Sequence, residues 1–173
     1  MSQPPVPTLQ TQRLTLRPMT EADFPAYAAF LASPRSRWMG GPLTTREAWG
    51  MFCHDIACWP LFGHGALMIA LSANGACIGQ VGINAGPLFP EKELGWLLYD
   101  GHEGQGYATE AARAMLDWAA RTLRLSGLVS YVDPGNAASI AVAERLGAVR
   151  DARADRPDPE DLVYRHALSA LSG

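Results

Sequence analysis

The chain has little cysteine. Cys53, Cys58 and Cys77 are the whole complement. An odd, small number without repeating spacing argues against a disulfide framework, and without a CxxC pair there is no pattern for a structural zinc knuckle. Long hydrophobic runs are missing too. Purely apolar runs, Ala66 to Leu71 among them, are far too short to span a bilayer, so no membrane partner is expected. Met1 to Leu9 carries neither a basic segment nor an apolar stretch, so no secretory leader is read there and a cytoplasmic location is expected. Positive charge is not in excess. Fourteen basic residues stand against 17 acidic ones, for a net charge of -3, and no basic stripe invites nucleic acid. HExxH does not occur. His54 lies between Cys53 and Cys58, but an i, i+5 cysteine pair does not share one helix face, so no metal is expected. Internal repeats, low-complexity tracts and linkers are also lacking.

What is present is globular: 173 residues, 48% apolar and 18% charged, the size and composition of one domain. Residues 1–10 are Pro-rich and read as a frayed segment, with a single domain over 11–173. Leu14, Leu16 and Pro18 alternate with Arg13, Thr15 and Arg17, a first strand. Thr20 is an N-cap by type, and Phe24, Tyr27, Ala28 and Leu31 give the helix after it an apolar face that ends at Pro34. Thr44 and Glu47 form a capping-box signature for a second helix to about Cys58. Two strands, Ala66 to Leu71 and Ala76 to Ile83, flank the hairpin signal Asn74-Gly75. Leu94 to Tyr99 reads as a strand buried on both faces. Ala112, Met115, Leu116, Ala119 and Leu123 mark the buried face of a third helix. After a strand at Leu128 to Val132, a turn at Pro134-Gly135-Asn136 opens a short helix, with Gly147 at its left-handed end. Two short strands close the chain. One β-α-β crossover between hairpins predicts a mixed α/β sheet, not a repeating βαβ array.

The most informative stretch is ELGWLLYDGHEGQGYATEAA, Glu93 to Ala112. A strand runs into glycines and the glycines open a helix. Free N–H groups and the helix dipole at such a start suit a phosphate or pyrophosphate, and Gly104 and Gly106 allow close approach; a tight turn without a ligand is the plainer reading. A P-loop fails because Tyr107 stands where its lysine belongs. A dinucleotide fingerprint fails because Gly104-Gln105-Gly106 is not completed, and too little chain follows Gly147 for further βαβ units, although Asp133 would suit a ribose.

Three ordered stretches together resemble the GNAT superfamily of N-acetyltransferases, in its RimJ/RimL-like branch of ribosomal-protein N-terminal acetyltransferases. TQRLTLRPMTEADF (Thr11 to Phe24) is similar to that branch's opening strand and helix. LGWLLYDGHEGQGYATEA is similar to its pyrophosphate signature, and NAASIAVAERLGA (Asn136 to Ala148) to its second coenzyme motif. DLVYRHAL resembles its closing strand. The resemblance implies a mostly antiparallel, twisted sheet with a central parallel β-α-β acetyl-CoA site and about four flanking helices. It implies transfer of acetyl from acetyl-CoA to a primary amine by direct attack in a ternary complex. The acceptor is a peptide N-terminus or a small molecule, and a homodimer is plausible. A non-catalytic acyl-CoA-binding or sensing module is the alternative.

By the same resemblance, backbone groups of Gly104, Gln105, Gly106, Tyr107, Ala108 and Thr109 hold the pyrophosphate. The strand of Leu97, Leu98 and Tyr99 pairs with the pantetheine arm, with Asn136 beside it. Glu93 is the candidate base, through a water, or an ordinary loop-edge carboxylate. A backbone N–H near Leu98 would face the oxyanion. Ser139 is the candidate acid, or a first-turn residue bonded to Asn136. Arg113 and Arg145 either meet other phosphates or are solvated helix charges. The sequence departs from the family at Glu103, an acid beside the phosphate site, and at Ala143, where many members carry a tyrosine acid. The aromatics Trp38, Trp49, Phe52, Trp59 and Phe62 either pack the core or line the acceptor site.

Overall fold

The computed structural model describes residues 2–168; Met1 and 169–173, the ends of the two expected segments, lie outside the described residues. The strands are β1 (Leu9–Gln10), β2 (Leu14–Arg17), β3 (Ala66–Leu71), β4 (Cys77–Asn84), β5 (Glu93–Leu98), β6 (Val129–Val132), β7 (Val149–Arg150) and β8 (Leu162–Arg165). They form one sheet ordered β1-β2-β3-β4-β5-β6-β8-β7. Among the described residues, only β5 and β6 run parallel, at one registered pair, Glu93 with Val129. The four α-helices among the described residues are α1 (Phe24–Ala32), α2 (Thr45–Phe62), α3 (Tyr107–Trp118) and α4 (Ala137–Arg145). This is the mixed, mostly antiparallel sheet that the sequence predicts.

Local chemistry sets most boundaries. The Thr44 hydroxyl accepts from Glu47 N–H at 3.2 Å while Glu47 accepts from Thr44 N–H at 2.8 Å, so the capping box starts α2. The helix continues past the expected Cys58 and through Pro60 to Phe62, because left-handed Gly63 closes the last turn on the Trp59 carbonyl. Gly147, at φ 82°, ends α4 as predicted. The Pro-rich start differs from a frayed segment. Leu9–Gln10 pair with Leu16 and Thr15, and Val6 and Leu9 pack against the core.

The sheet is covered on both faces. On one, Ala111, Ala112, Met115 and Leu116 of α3 pack on Leu14, Leu16, Leu67, Ile69 and Leu94. On the other, Tyr27 and Leu31 of α1 with Ala48 and Phe52 of α2 enclose Leu97. Strand β5 is less buried than its sequence suggests. Leu94 and Leu97 are buried, but Trp96 and Leu98 are half-exposed because two clefts open along this strand.

β4 approaches β5 closely at Gly79, where an added Cβ would fall on the Leu97 carbonyl oxygen, well inside contact distance, and lie 3.0 Å from the Leu98 Cα. Both obstacles are backbone, so relief means moving a strand. Gly79→Ala is expected to cost about 1–3 kcal/mol in urea unfolding. A midpoint equal to that of the unmodified protein would show that the sheet yields freely.

Candidate active site

Where β5 ends, the chain turns through Gly101, Gly104 and Gly106 at φ 86°, 74° and 83°, and α3 starts at Tyr107. Side chains rarely adopt that left-handed backbone, so glycine is needed for the turn. The first N–H groups of α3 have no partner within the helix, and its dipole favours an anion there. The Thr109 hydroxyl is buried without a hydrogen-bond partner. Gly104, Gly106, Tyr107, Ala108 and Thr109 line a cleft of about 1360 Å³. Arg35, Arg37, Arg113, Arg121 and Arg145 line it too, which makes its wall a match for phosphates. Arg113 also donates to the Arg145 carbonyl at 2.9 Å. Gln105 turns its carbonyl to the Arg13 guanidinium at 2.9 Å.

Two acids near this cleft are neutralised. Glu103 is ion-paired with Arg35. Glu110 accepts from Thr11 Oγ1 at 2.7 Å and from the Arg13 Nε and backbone N–H at 2.7 and 2.8 Å. Its pKa is lowered: those hydrogen bonds and the Arg13 charge outweigh the desolvation, the largest single effect, that opposes them. Arg35 comes from the turn Pro34–Met39 before α2, and its Nη1 is buried without a partner. Sequence reasoning missed Arg35, whose partner is distant in the chain.

A second cavity of about 820 Å³ lies over the central strands β4, β5 and β6. Glu47, Asp55, Glu93, Asp133 and Asp161 line it, and among the described residues no lysine or arginine does. Glu93, at the start of β5, accepts from Asn84 Nδ2 at 3.0 Å. Burial raises its pKa to about 7, against the lowering effect of Asn84 and of the Tyr131 backbone. Asp55 is 8% exposed, and one of its oxygens accepts from Tyr27 OH at 3.0 Å and Gln80 Nε2 at 3.1 Å. Burial raises its pKa to about 6 despite both bonds. Asp55 carries no motif that names it in the sequence. Its signal was present: it falls on the buried stripe of α2 with Ala48 and Phe52.

Trp38, Met39, Trp96, Leu97, Asn136 and Ser139 line both spaces, so the arginine-lined cleft and the carboxylate-lined cavity meet there. Asn136 caps α4, accepting from Ser139 N–H at 3.2 Å, and its Nδ2 donates to Ser139 Oγ at 3.1 Å. The serine thus accepts from Asn136 and keeps its own proton to donate. Ala143 is fully buried beside Val132 and Tyr164.

Along β5, Tyr99 N–H donates to Ile78 O at 2.8 Å, whereas Lys92 O accepts from Val129 on the β6 side. Backbone groups alternate between neighbours, so Leu97 and Tyr99 face β4 while Trp96 and Leu98 face β6. Registered β5–β6 pairing stops at Glu93, which leaves the Leu98 N–H toward the opening gap. Tyr99 is not brought to the cleft; its ring packs against Phe30. Of the aromatics in the 38–62 segment, Phe52 is in the core and Trp59 bonds the Ala66 carbonyl at 3.0 Å. Trp38 alone lines both spaces, seated on Gly135, where a Cβ would stand 2.9 Å from its ring. His54 stacks on Phe89 and its Nε2 is 3.5 Å from Cys58 Sγ, while His64 bonds Ile83 O at 2.9 Å. Among the described residues, no group of three or more His, Cys, Asp or Glu is placed to hold a metal, and no helix is long and apolar enough to cross a membrane.

Comparison with known proteins gives this geometry its relatives. The model of the acetyltransferase (GNAT) domain matches residues 13–149. The crystal structure of an acetyltransferase from Agrobacterium tumefaciens strain C58 is 65% identical, with a TM-score of 0.93 over 94% of this chain and 95% of that one. RimL, a ribosomal L7/L12 alpha-N-protein acetyltransferase solved with coenzyme A, has a TM-score of 0.74 over 95% of this chain and 99% of its own; at 21% identity it shares the fold. An uncharacterized protein of Bacillus subtilis (strain 168), YkkB, is 40% identical over 75 residues, 42% of this chain and 44% of YkkB, so the match spans less than half of that curated relative.

Proposed function

The chain belongs to the GNAT acetyltransferase family, and from that premise we propose that it moves the acetyl group of acetyl-CoA to a primary amine by direct attack in a ternary complex. One observation carries the reading: an arginine-lined cleft at a helix start and a carboxylate-lined cavity meet at Asn136 and Ser139. The coenzyme's phosphates suit the arginines and the N–H groups from Gly104 to Thr109, and its arm suits the backbone edge of Trp96 and Leu98. The amine enters from the cavity, where carboxylates without lysine or arginine favour a cation.

A primary amine of the lysine type is almost fully protonated at neutral pH, so it must lose a proton before it attacks. Glu93 takes that proton, directly or through a water. The new C–N bond forms as the thioester carbonyl becomes an oxyanion facing the Leu98 N–H. The C–S bond then breaks, the departing thiolate takes the Ser139 proton, and the former amine nitrogen sheds its extra proton, which restores the serine hydroxyl and leaves a neutral amide. A cationic small amine and a peptide N-terminus both meet these demands.

The test is coenzyme release, read with a thiol reagent after subtracting the protein's own cysteines, across a panel of amines and N-terminal peptides. Thiol production that needs both acetyl-CoA and one amine class is the expected result, and it names the acceptor. Tight calorimetric binding of acetyl-CoA without turnover would favour the acyl-CoA-binding module. No binding at all would end the proposal. Sizing chromatography of the same sample reads whether the homodimer forms.

A further inference from the structure

Of the five carboxylates that line the second cavity, four already accept hydrogen bonds. Glu47 accepts from Thr44 N–H at 2.8 Å, Glu93 from Asn84 Nδ2 at 3.0 Å and Asp133 from Gly135 N–H at 2.7 Å, while Asp55 serves Tyr27 and Gln80. Among the described residues, nothing donates to the Asp161 carboxylate. The register of Val132 with Leu162 makes Asp133 and Asp161 the next opposed positions as the β6–β8 ladder ends. Like charges opposed in this way repel. Burial and the charges of Asp158 and Asp133 raise the Asp161 pKa, against a smaller lowering by the Arg156 guanidinium.

Arg156 is the cation at hand, and it does not bond the pair. Every hydrogen bond it makes among the described residues goes to a carbonyl: Nη1 to Asp161 O at 2.8 Å, Nη2 to Ala152 O and Ala154 O at 2.9 Å, and Nε to Ala154 O at 3.1 Å. The segment before β8 is thereby fixed while the Asp161 side chain stays free. Asp55, on α2, is an independent sign. Its side chain is buried and lines the same cavity, and both of its bonds fall on one oxygen. The other oxygen has no partner among the described residues, yet it is not among the side-chain atoms sealed from solvent, so it is reached from the cavity. Asp133 also opens the turn to the amine's meeting point with the thioester, since its carbonyl accepts from Asn136 N–H at 2.9 Å.

The amine that reacts cannot be the lasting partner of these acids. It gives up its proton before it attacks and ends as a neutral amide. An acceptor with that charge alone would leave opposed carboxylates without a cation at the moment of reaction. A second cationic group keeps its charge throughout, so its attraction acts in the ground state and in the transition state alike. We propose that Asp133 and Asp161 hold a second positive charge of the acceptor, on a group other than the amine that reacts. The proposal rests on the reading of this cavity as the entry of the amine. It narrows the acceptor to a dication, either a small diamine or a peptide N-terminus followed by a basic residue.

Two sets of acceptors test the pair: diaminobutane against butylamine, and a peptide with arginine as its second residue against the same peptide with glutamine there. In at least one set kcat/KM is expected to favour the dication by roughly ten- to a hundred-fold at low salt. That is beyond the doubling that two equivalent amines give diaminobutane by counting. Asp161→Asn is expected to cut the ratio about ten-fold, and Asp161→Glu, which keeps the charge, to retain most of it. The set that responds tells whether the second charge sits on a small amine or on a peptide. A ratio near unity in both sets, or an equal loss for both members of each set in Asp161→Asn, would overturn the proposal. Calorimetry of diaminobutane and of the arginine peptide on coenzyme A-saturated protein separates binding from turnover. If no amine is acetylated, the reading of the cavity as a reaction site fails. Binding that Asp161→Asn weakens would still support the charged pair, and absent or unchanged binding would overturn it.

Discussion

Glu93→Gln is expected to lower kcat/KM at neutral pH by about a hundred- to a thousand-fold, with the affinity for acetyl-CoA unchanged. The substitution keeps shape and keeps an acceptor for Asn84 Nδ2, but removes the only atom set that takes a proton. The coenzyme cleft is untouched, because Glu93 lines only the carboxylate-lined cavity. A proton acceptor works best when its pKa lies near the working pH, and burial brings Glu93 to about 7. The sign follows. The carboxylate forms as pH rises through about 7, so the rate of the unmodified enzyme rises there and then levels. Glu93→Gln is expected to lose this limb as well as the rate. Asp55 is the competing base, and it is less suited: one oxygen already accepts from both Tyr27 and Gln80. Asp55→Asn, assayed beside it, is expected to have the smaller effect. A Glu93→Gln enzyme within about two-fold of the original rate would pass the role to Asp55 or to water.

The parts of this site that could be read from the sequence are those written in consecutive residues. A strand, three left-handed glycines and a helix start follow one another from Glu93 to Thr109, and free N–H groups at that start are a backbone property. The Thr44–Glu47 box and the Asn136 cap are equally local. Contacts between distant elements were not legible. The Glu103 carboxylate looks misplaced beside an anion site until Arg35 is seen against it. Ser130 and His166 carry no pattern in their own segments, and only the antiparallel register of β6 with β8 brings them together. Glu93 could be named as a base from its place at a strand end. Its tuning could not, because that comes from Asn84, Asp55, Asp161 and the surrounding wall. Asp55 lies between these cases: a carboxylate on an apolar helix stripe is a visible anomaly, but only the fold shows its partners.

The same two carboxyls are expected to weaken the fold, and their isosteric amides to strengthen it at alkaline pH. Burial raises Glu93 from 4.5 to about 7 and Asp55 from 3.8 to about 6. Below the unfolded-state values both states carry the proton and nothing is lost. As pH rises through the folded-state values, the unfolded chain has already ionised and the native state must pay desolvation to follow, so stability falls. For Glu93 this loss is at most on the order of 3 kcal/mol, since the side chain is only partly buried by its surface. For Asp55 it is of similar order, and the two are not additive because each carboxylate disfavours the other. Each amide can still accept the bonds from Asn84, or from Tyr27 and Gln80, without a charge to desolvate. Denaturant midpoints at about pH 8 should therefore rise in Glu93→Gln and in Asp55→Asn, and the gain should vanish near about pH 4. A gain that persisted in acid would reflect packing and not charge, and no gain at either pH would mean that water reaches these carboxylates. The expected outcome has Glu93→Gln more stable and nearly inactive, as befits a group held in an unfavourable setting because the reaction needs its proton affinity near neutrality.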